Sequence, residues 1–284
     1  EEIVTCLQAV YGLRVAKVAF LPLGADLNTA VYRVVADDET PYFLKLRRGV
    51  FDEISVALPK FLKDRGLAQI IGPLATQTGQ LRGNLGTFKV ILYPFLEGHD
   101  GYEVGLSDRH WGDLGTVLKS LHTTRVHPAL LRGIQQETYS PRGRESVKMF
   151  LERVEADTWD GPVAVKLVAF LKAKRGEILD LVGRADRLAQ ALPARSPELV
   201  VCHSDIHAGN ILIDANDALY IVDWDNPILA PKERDLMFIG GVQMGGGRTA
   251  QEEEALFYQG YGQTQIDPIA LAYYRYERVI EDLA

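Results

Sequence analysis

The hydrophobic periodicity of this chain changes once, near Tyr93-Pro94-Phe95-Leu96-Glu97-Gly98, and that change constrains the fold more than any other feature. Before it, apolar residues recur every second position over 15–20, 29–35 and 42–46, the period of strands. Shorter β pieces are expected at 70–71, 80–81 and 88–92. Helices are expected over 1–10 and 52–64, and Pro59 should bend or split the second of these, because it lacks an N–H for the helical ladder. After the change, apolar residues recur at helical spacing over 108–122, 144–155, 163–191, 251–260 and 268–283. Ser107 is a suitable cap for the first of these, and Trp111, Leu114, Leu118 and Leu121 form its buried stripe. Three short β runs, 199–202, 211–213 and 219–222, interrupt the helical part and are expected to pair with one another. The expected architecture is α+β and bilobal. A β-rich lobe covers 1–95, a mainly helical lobe covers 96–284, and a ligand cleft lies between them with 93–98 as the hinge.

Composition narrows the function. The 284 residues carry a net charge of −7, which disfavours nucleic acid as a partner and leaves room for a cationic one. No apolar run approaches the roughly 20 residues needed to span a bilayer, so no membrane partner is expected. Cys6 and Cys202 are too few for a disulfide framework or a zinc set. The first residues show no basic, apolar, small-residue signal pattern, and a reducing cytoplasm is the simplest compartment.

The polar residues with most chemistry sit among the late β runs, in Cys202-His203-Ser204-Asp205-Ile206-His207-Ala208-Gly209-Asn210 and Tyr220-Ile221-Val222-Asp223-Trp224-Asp225. Magnesium is a hard ion that prefers oxygen ligands, and Asn210 and Asp223 offer an amide oxygen and a carboxylate. Asp205 is then left free of the metal to orient an attacking hydroxyl, and His203 serves as scaffold for the loop. The spacing His-x-Asp-x-x-x-x-Asn equals that of the catalytic loop in protein kinases. A rival reading makes His203, Asp205 and His207 a metal trio, since alternate residues of a strand face one way.

Other positions follow from this reading. Lys45, on the strand 42–46, can reach phosphates as a point charge, or can simply snorkel at the surface. Glu53, or alternatively Asp52, is the carboxylate expected to orient it; either could equally be a helix-start acid. The loop 24–29 can fold over a triphosphate through backbone amides with Asn28 or Thr29, or can be an ordinary hairpin loop. It has no glycine-rich phosphate fingerprint. The glycines of 240–247 read as a flexible loop near the substrate side. Asp235 could hydrogen-bond the catalytic loop from behind, or only cap its helix, and Arg234 could pair with a buried acid.

These segments resemble the aminoglycoside phosphotransferase family of kinase-like enzymes, and within it the spectinomycin phosphotransferase subgroup. The likeness is carried by 201–210, Asp223-Trp224-Asp225-Asn226-Pro227, 229–241 and Tyr273-Tyr274-Arg275-Tyr276-Glu277-Arg278, and by Gly24-Ala25-Asp26 and 42–46. The resemblance implies an ATP-dependent O-phosphotransferase with ATP and Mg2+ as cofactors. Asp205 would be the catalytic base, Asn210 and Asp223 the metal ligands and Lys45 the triphosphate lysine. Adenine would hang on backbone groups around Tyr93, Phe95 and Leu96. The acceptor would be a hydroxyl of a cationic aminoglycoside or aminocyclitol antibiotic, with spectinomycin the leading candidate. Asp225, Glu277 and Glu281 are the acids implied to hold it. Members of the subgroup run further at the C-terminus, so part of the acceptor pocket is expected past Ala284. Two other functions stay open: a metabolic kinase for an amino alcohol or sugar, and a nucleotide-binding pseudokinase.

Overall fold

The computed structural model describes residues 1–24, 26–241 and 243–284. Helix α1 (Glu2–Tyr11) precedes five strands: β1 (Val15–Leu21), β2 (Thr29–Ala36), β3 (Pro41–Arg48), β4 (Gly83–Leu85) and β5 (Phe88–Pro94). They form one antiparallel sheet in the order β1-β2-β3-β5-β4. Alternation along β2 and β3 sends Val34, Leu44 and Leu46 inward, where Leu7 of α1 and Val90 and Leu92 of β5 complete a small core. Lys45 points to the opposite face of β3 from these residues. Ala25, expected in the loop after β1, lies outside the described residues.

Helix α2 (Ile54–Asp64) leaves the sheet and buries Ile54, Leu58 and Leu62 in the larger core of the helical region. Pro59 sits inside this helix and does not split it. Only one ladder bond is lost there, and the apolar stripe on either side holds both turns to the same core. The expected β piece at 80–81 is absent, and β4 forms three residues later instead, where Gly83 lets Val10 approach. Ile70 makes a single bridge to Ile221 rather than a strand.

The helical region contains β6 (Gly98–Asp100), α3 (Gly101–Val104), α4 (Asp108–Thr123), α5 (Pro128–Leu131), β7 (Gln135–Gln136), α6 (Arg142–Ala156) and α7 (Pro162–Ala191). It continues with β8 (Val200–Cys202), β9 (Ile211–Asp214), β10 (Leu219–Ile221), β11 (Ile228–Ala230), α8 (Glu233–Leu236), α9 (Ala250–Tyr261) and α10 (Pro268–Glu281). Ser107 caps α4 in a reciprocal box with His110, and Trp111, Leu114, Leu118 and Leu121 are buried. Helices α4 and α9 cross closely: a Cβ on Gly260 would collide with the Gly112 carbonyl, and one on Gly115 with the Phe257 carbonyl. Among the described residues, no helix is long and apolar enough to cross a membrane.

The late β runs divide between two small sheets, so they do not all pair together as the sequence suggested. Strands β9 and β10 form a hairpin with β6 on its other edge, whereas β8 joins β11 and β7. The 3-10 turn over 208–210 reverses the chain between β8 and β9, and this separates their ladders. The division leaves the segment 203–210 spanning the gap between the two sheets.

Candidate active site

The β9–β10 hairpin brings Asn210 and Asp223 together. Ile211 pairs with Ile221, and the Val222 N–H donates to the Asn210 carbonyl at 3.0 Å. The residues that precede one strand and follow the other therefore lie side by side. Asp223 has φ 63° and Ser204 φ 73°, left-handed conformations that are uncommon outside glycine. At Asp223 the bend turns the carboxylate out of the hairpin toward the five-stranded sheet. There Lys45 Nζ donates to Asp223 Oδ1 at 3.0 Å and to Asp225 Oδ1 at 2.8 Å. Arg47, two residues along β3 and so on the same face as Lys45, meets Asp225 Oδ2 at 2.7 Å.

Burial alone would lower the Lys45 pKa, but the Asp223 and Asp225 carboxylates outweigh it and hold the ammonium above its usual value. Burial pushes the Asp223 carboxyl up, and Lys45, by its charge and its hydrogen bond, with Arg47 behind it, brings it below the ordinary range. Both groups therefore stay charged at neutral pH.

The catalytic-loop segment is fastened from behind by Asp235. Its Oδ1 accepts from the Ser204 N–H at 2.7 Å, and its Oδ2 from the His203 N–H at 3.0 Å and from His122 Nε2 at 3.0 Å. Asp235 is fully buried. Desolvation opposes its charge, and His122, His203 and the loop amides overcome that and depress its pKa. His203 is buried too. Its Nε2 donates to the Val222 carbonyl at 2.9 Å, its Nδ1 accepts from the Asp205 N–H at 3.3 Å, and its ring stands edge-on to Trp224. These partners select the Nε2–H tautomer and tie the loop to the hairpin.

That bonding removes the metal-trio reading. Both His203 nitrogens are occupied by backbone partners, and at Asp205 Oδ2 His207 Nε2 lies at 3.7 Å, farther than Asn210 Nδ2 at 3.4 Å. A second grouping of donor atoms, His122, Cys202 and Asp235, is a packed structural cluster. Both His122 nitrogens and both Asp235 oxygens are hydrogen-bonded, and burial raises the Cys202 thiol well above its ordinary pKa.

Asn210 Nδ2 donates to the Asp205 carbonyl at 2.9 Å, which leaves the amide oxygen as the atom free for other partners. Together with the Asp223 carboxylate this is a hard-oxygen donor pair, and it fits a magnesium ion bound to phosphates. Asp205 itself is partly exposed. Its carboxylate has one close partner among the described residues, Arg278 of α10, whose Nη1 donates to Oδ1 at 2.7 Å. Tyr102 flanks the loop, stacks on His207 with ring centroids 5.9 Å apart, and donates its hydroxyl to the Gln243 carbonyl. Burial lowers the pKa of His207.

A carboxylate, a hard-oxygen pair and a lysine thus converge between a β sheet and a helical region. Residues 19–269 match the phosphotransferase enzyme family. The chain belongs to this family. Its fold matches crystal structures of spectinomycin phosphotransferase, APH(9)-Ia. The complex with ADP and spectinomycin is 37% identical with a TM-score of 0.91, covering 99% of this chain and 85% of that one. The AMP-bound complex is 35% identical with a TM-score of 0.87, covering 99% and 86%. A choline kinase from Streptococcus pneumoniae, 14% identical with a TM-score of 0.63 over 99% and 87% of the two chains, shares the fold. The protein is therefore a kinase-type phosphotransferase with a β-rich and a helical region.

Several residues expected at this phosphotransferase's site have other partners in the structure. Glu53 does not orient Lys45; it accepts from Arg82 Nε at 2.6 Å, because the loop before β4 brings Arg82 over the start of α2. Asp225, implied as an acceptor-holding acid, is spent on Lys45 and Arg47. Glu277 is buried in an ion pair with Arg144 of α6, and burial raises its pKa despite that partner. Glu281 pairs with Arg234 at 3.1 Å on the outer side of α10. Asn28 is exposed, its N–H donates to Asp26 Oδ1 at 2.9 Å, and its carbonyl accepts from Arg48. Tyr93 continues β5, while Phe95 and Leu96 follow it, with Arg33 stacked over the Phe95 ring. Sequence reasoning missed Arg47, His122, Tyr102 and Arg278. Arg47 carried a signal in its two-residue offset from Lys45, and Arg278 in its place at the end of the family-like segment 273–278.

Proposed function

We propose that the protein is an ATP- and magnesium-dependent O-phosphotransferase whose acceptor is an aminocyclitol antibiotic, spectinomycin first, so that it confers resistance by modification. The observation that carries the reading is the meeting of Lys45 and Asp223 at 3.0 Å beside the Asp205 loop, from parts of the chain 178 residues apart. The likeness at 37% identity and TM-score 0.91 to a spectinomycin phosphotransferase supports the acceptor class. Residues 1–95 would serve as the nucleotide lobe and 96–284 as the catalytic and acceptor lobe, with adenine on the backbone of 93–96. An ATP-driven reaction and two free thiols suit the cytoplasm.

In this reading Lys45 exchanges its carboxylate partners for phosphate oxygens when nucleotide enters, and Arg47 holds Asp225 away from the phosphates. Asn210 and Asp223 would hold magnesium, which supplies charge neutralisation on the phosphate oxygens. Asp205 orients the acceptor hydroxyl and takes its proton as the new oxygen–phosphorus bond forms. ADP departs with the electron pair of the bond that breaks. Positioning and charge compensation do most of the work, because the transition state of phosphoryl transfer is loose. The test is ADP release across a panel of spectinomycin, other aminocyclitols, choline, ethanolamine and simple sugars, with the product weighed by mass spectrometry. Spectinomycin gaining one phosphate is the expected result. Strong turnover of choline with none of spectinomycin would replace the antibiotic reading by a metabolic one, and nucleotide binding with no acceptor would favour a pseudokinase.

A further inference from the structure

The catalytic-loop segment 202–210 contains no lysine or arginine, although the reaction proposed above brings an anionic phosphoryl group toward the Asp205 carboxylate. Like charges at that range repel strongly in a partly desolvated cleft. The cation that offsets this comes from far along the chain. Arg278 Nη1 donates to Asp205 Oδ1 at 2.7 Å, and Nη2 reaches Asp282 at 3.4 Å. Its guanidinium lies over the Phe238 ring, 5.7 Å from the centroid, and is mostly buried. Its Nε is buried with no partner among the described residues. Burial and packing alone would not favour a charged group with an unsatisfied donor, so the pose calls for another reason.

The contacts of Asp205 suggest that reason. Its main chain is held by His203 Nδ1 at 3.3 Å and by Asn210 Nδ2 at 2.9 Å, but neither grips its carboxylate closely. Asn210 Nδ2 is 3.4 Å from Oδ2 and His207 Nε2 is 3.7 Å from it, both weak compared with the Arg278 bond. We infer that Arg278 is a positioning residue for phosphoryl transfer. It pins Oδ1 so that Oδ2 is the oxygen presented to the acceptor hydroxyl, and it compensates the Asp205 charge as the phosphoryl group arrives. The inference rests on the phosphotransferase reading and on Asp205 as the group that orients the hydroxyl.

The experiment compares wild type with Arg278→Gln, Arg278→Lys and Asp205→Ala. ADP release from ATP and magnesium is measured with spectinomycin and with water as the only acceptor, and nucleotide affinity and thermal unfolding are measured on the same preparations. A group that only positions acts on kcat: Arg278→Gln should lose about 10²-fold in kcat, the scale expected when a catalytic group is misplaced by about 1 Å. The KM for ATP and the unfolding temperature should stay close to wild type. Arg278→Lys should recover part of the loss, because its charge survives while its fixed fork does not. Free guanidinium ion added to Arg278→Gln should raise the rate as well. Wild-type kcat in Arg278→Gln, or a lower acceptor KM with kcat unchanged, would overturn the inference, the latter by showing that the guanidinium merely blocks the acceptor. An active Asp205→Ala would instead overturn the underlying reading. An inactive Asp205→Ala beside a fully active Arg278→Gln would overturn the role of Arg278 alone.

Discussion

The two sides of the active site are both built on carboxylates, but they are held differently. Behind the catalytic loop, Asp235 is fully buried and its oxygens are filled by two backbone amides and His122. Across the cleft, Asp223 has a half-exposed side chain and shares Lys45 with Asp225, in a pairing that nucleotide phosphates can replace. The buried group leaves the loop no alternative partners, so it fixes geometry. The exposed group is an interim arrangement of charges awaiting a ligand. Removing the first should therefore cost stability, and removing the second should cost binding.

The largest expected effect comes from Asp235→Ala. It strands His122 and two loop amides in the core and should cost about 3–5 kcal/mol in urea unfolding. Lys45→Ala should cost clearly less stability than Asp235→Ala and weaken ATP binding about 10- to 100-fold, the value of a charge-assisted bond to phosphate, as isothermal titration can measure. A stability loss as large as that of Asp235→Ala would erase the contrast between the two sides. Glu277→Gln sharpens it further. Its partner Arg144 is buried, so the substitution should lower the unfolding temperature by several degrees while the acceptor KM stays put. Glu281→Ala should change stability by less than about 1 kcal/mol, since its pair with Arg234 is partly exposed.

The same contrast has a pH dependence. The Asp235 pKa is depressed in the fold, so its stabilisation is complete above the unfolded carboxylate value of about 4 and disappears as pH falls through the lower folded value. The Lys45 pKa is raised, so its contribution is present below the unfolded value of about 10.4 and disappears as pH rises through the higher folded one. In unfolding curves across pH, Asp235→Asn should flatten the acid limb and Lys45→Met the alkaline limb.

Much of this was legible in the chain, for reasons that differ by residue. Asp205 and Asn210 share one short loop, and Asp223 follows a strand that pairs with the strand after Asn210, so local spacing alone brings them near each other. Lys45 was visible as a charge among the apolar residues of a strand. The period-2 to period-3.6 change marks where the five-stranded sheet ends, at Pro94. Long-range pairing is where legibility stopped. Glu53 sits where a lysine-orienting acid should, yet Arg82, 29 residues on, reaches it. Glu277 carried the look of an acceptor acid, and its partner Arg144 is 133 residues away. Adjacent positions of α10 thus face different worlds, Glu277 the core and Arg278 the cleft, and the helical stripe of Ala270, Tyr273, Tyr274 and Ile280 already put Glu277 on the buried face. The left-handed bend at Asp223 was invisible, because no glycine marks it in the sequence.

The most direct test of the account is single-turnover phosphoryl transfer to spectinomycin by Asp205→Ala, with ATP affinity measured on the same protein. Loss of a positioned base predicts a rate at least 10²-fold below wild type, up to about 10⁴-fold, with the ATP dissociation constant within about twofold. Transfer at the wild-type rate, with ATP still bound, would contradict the assignment of Asp205 and with it the proposed mechanism.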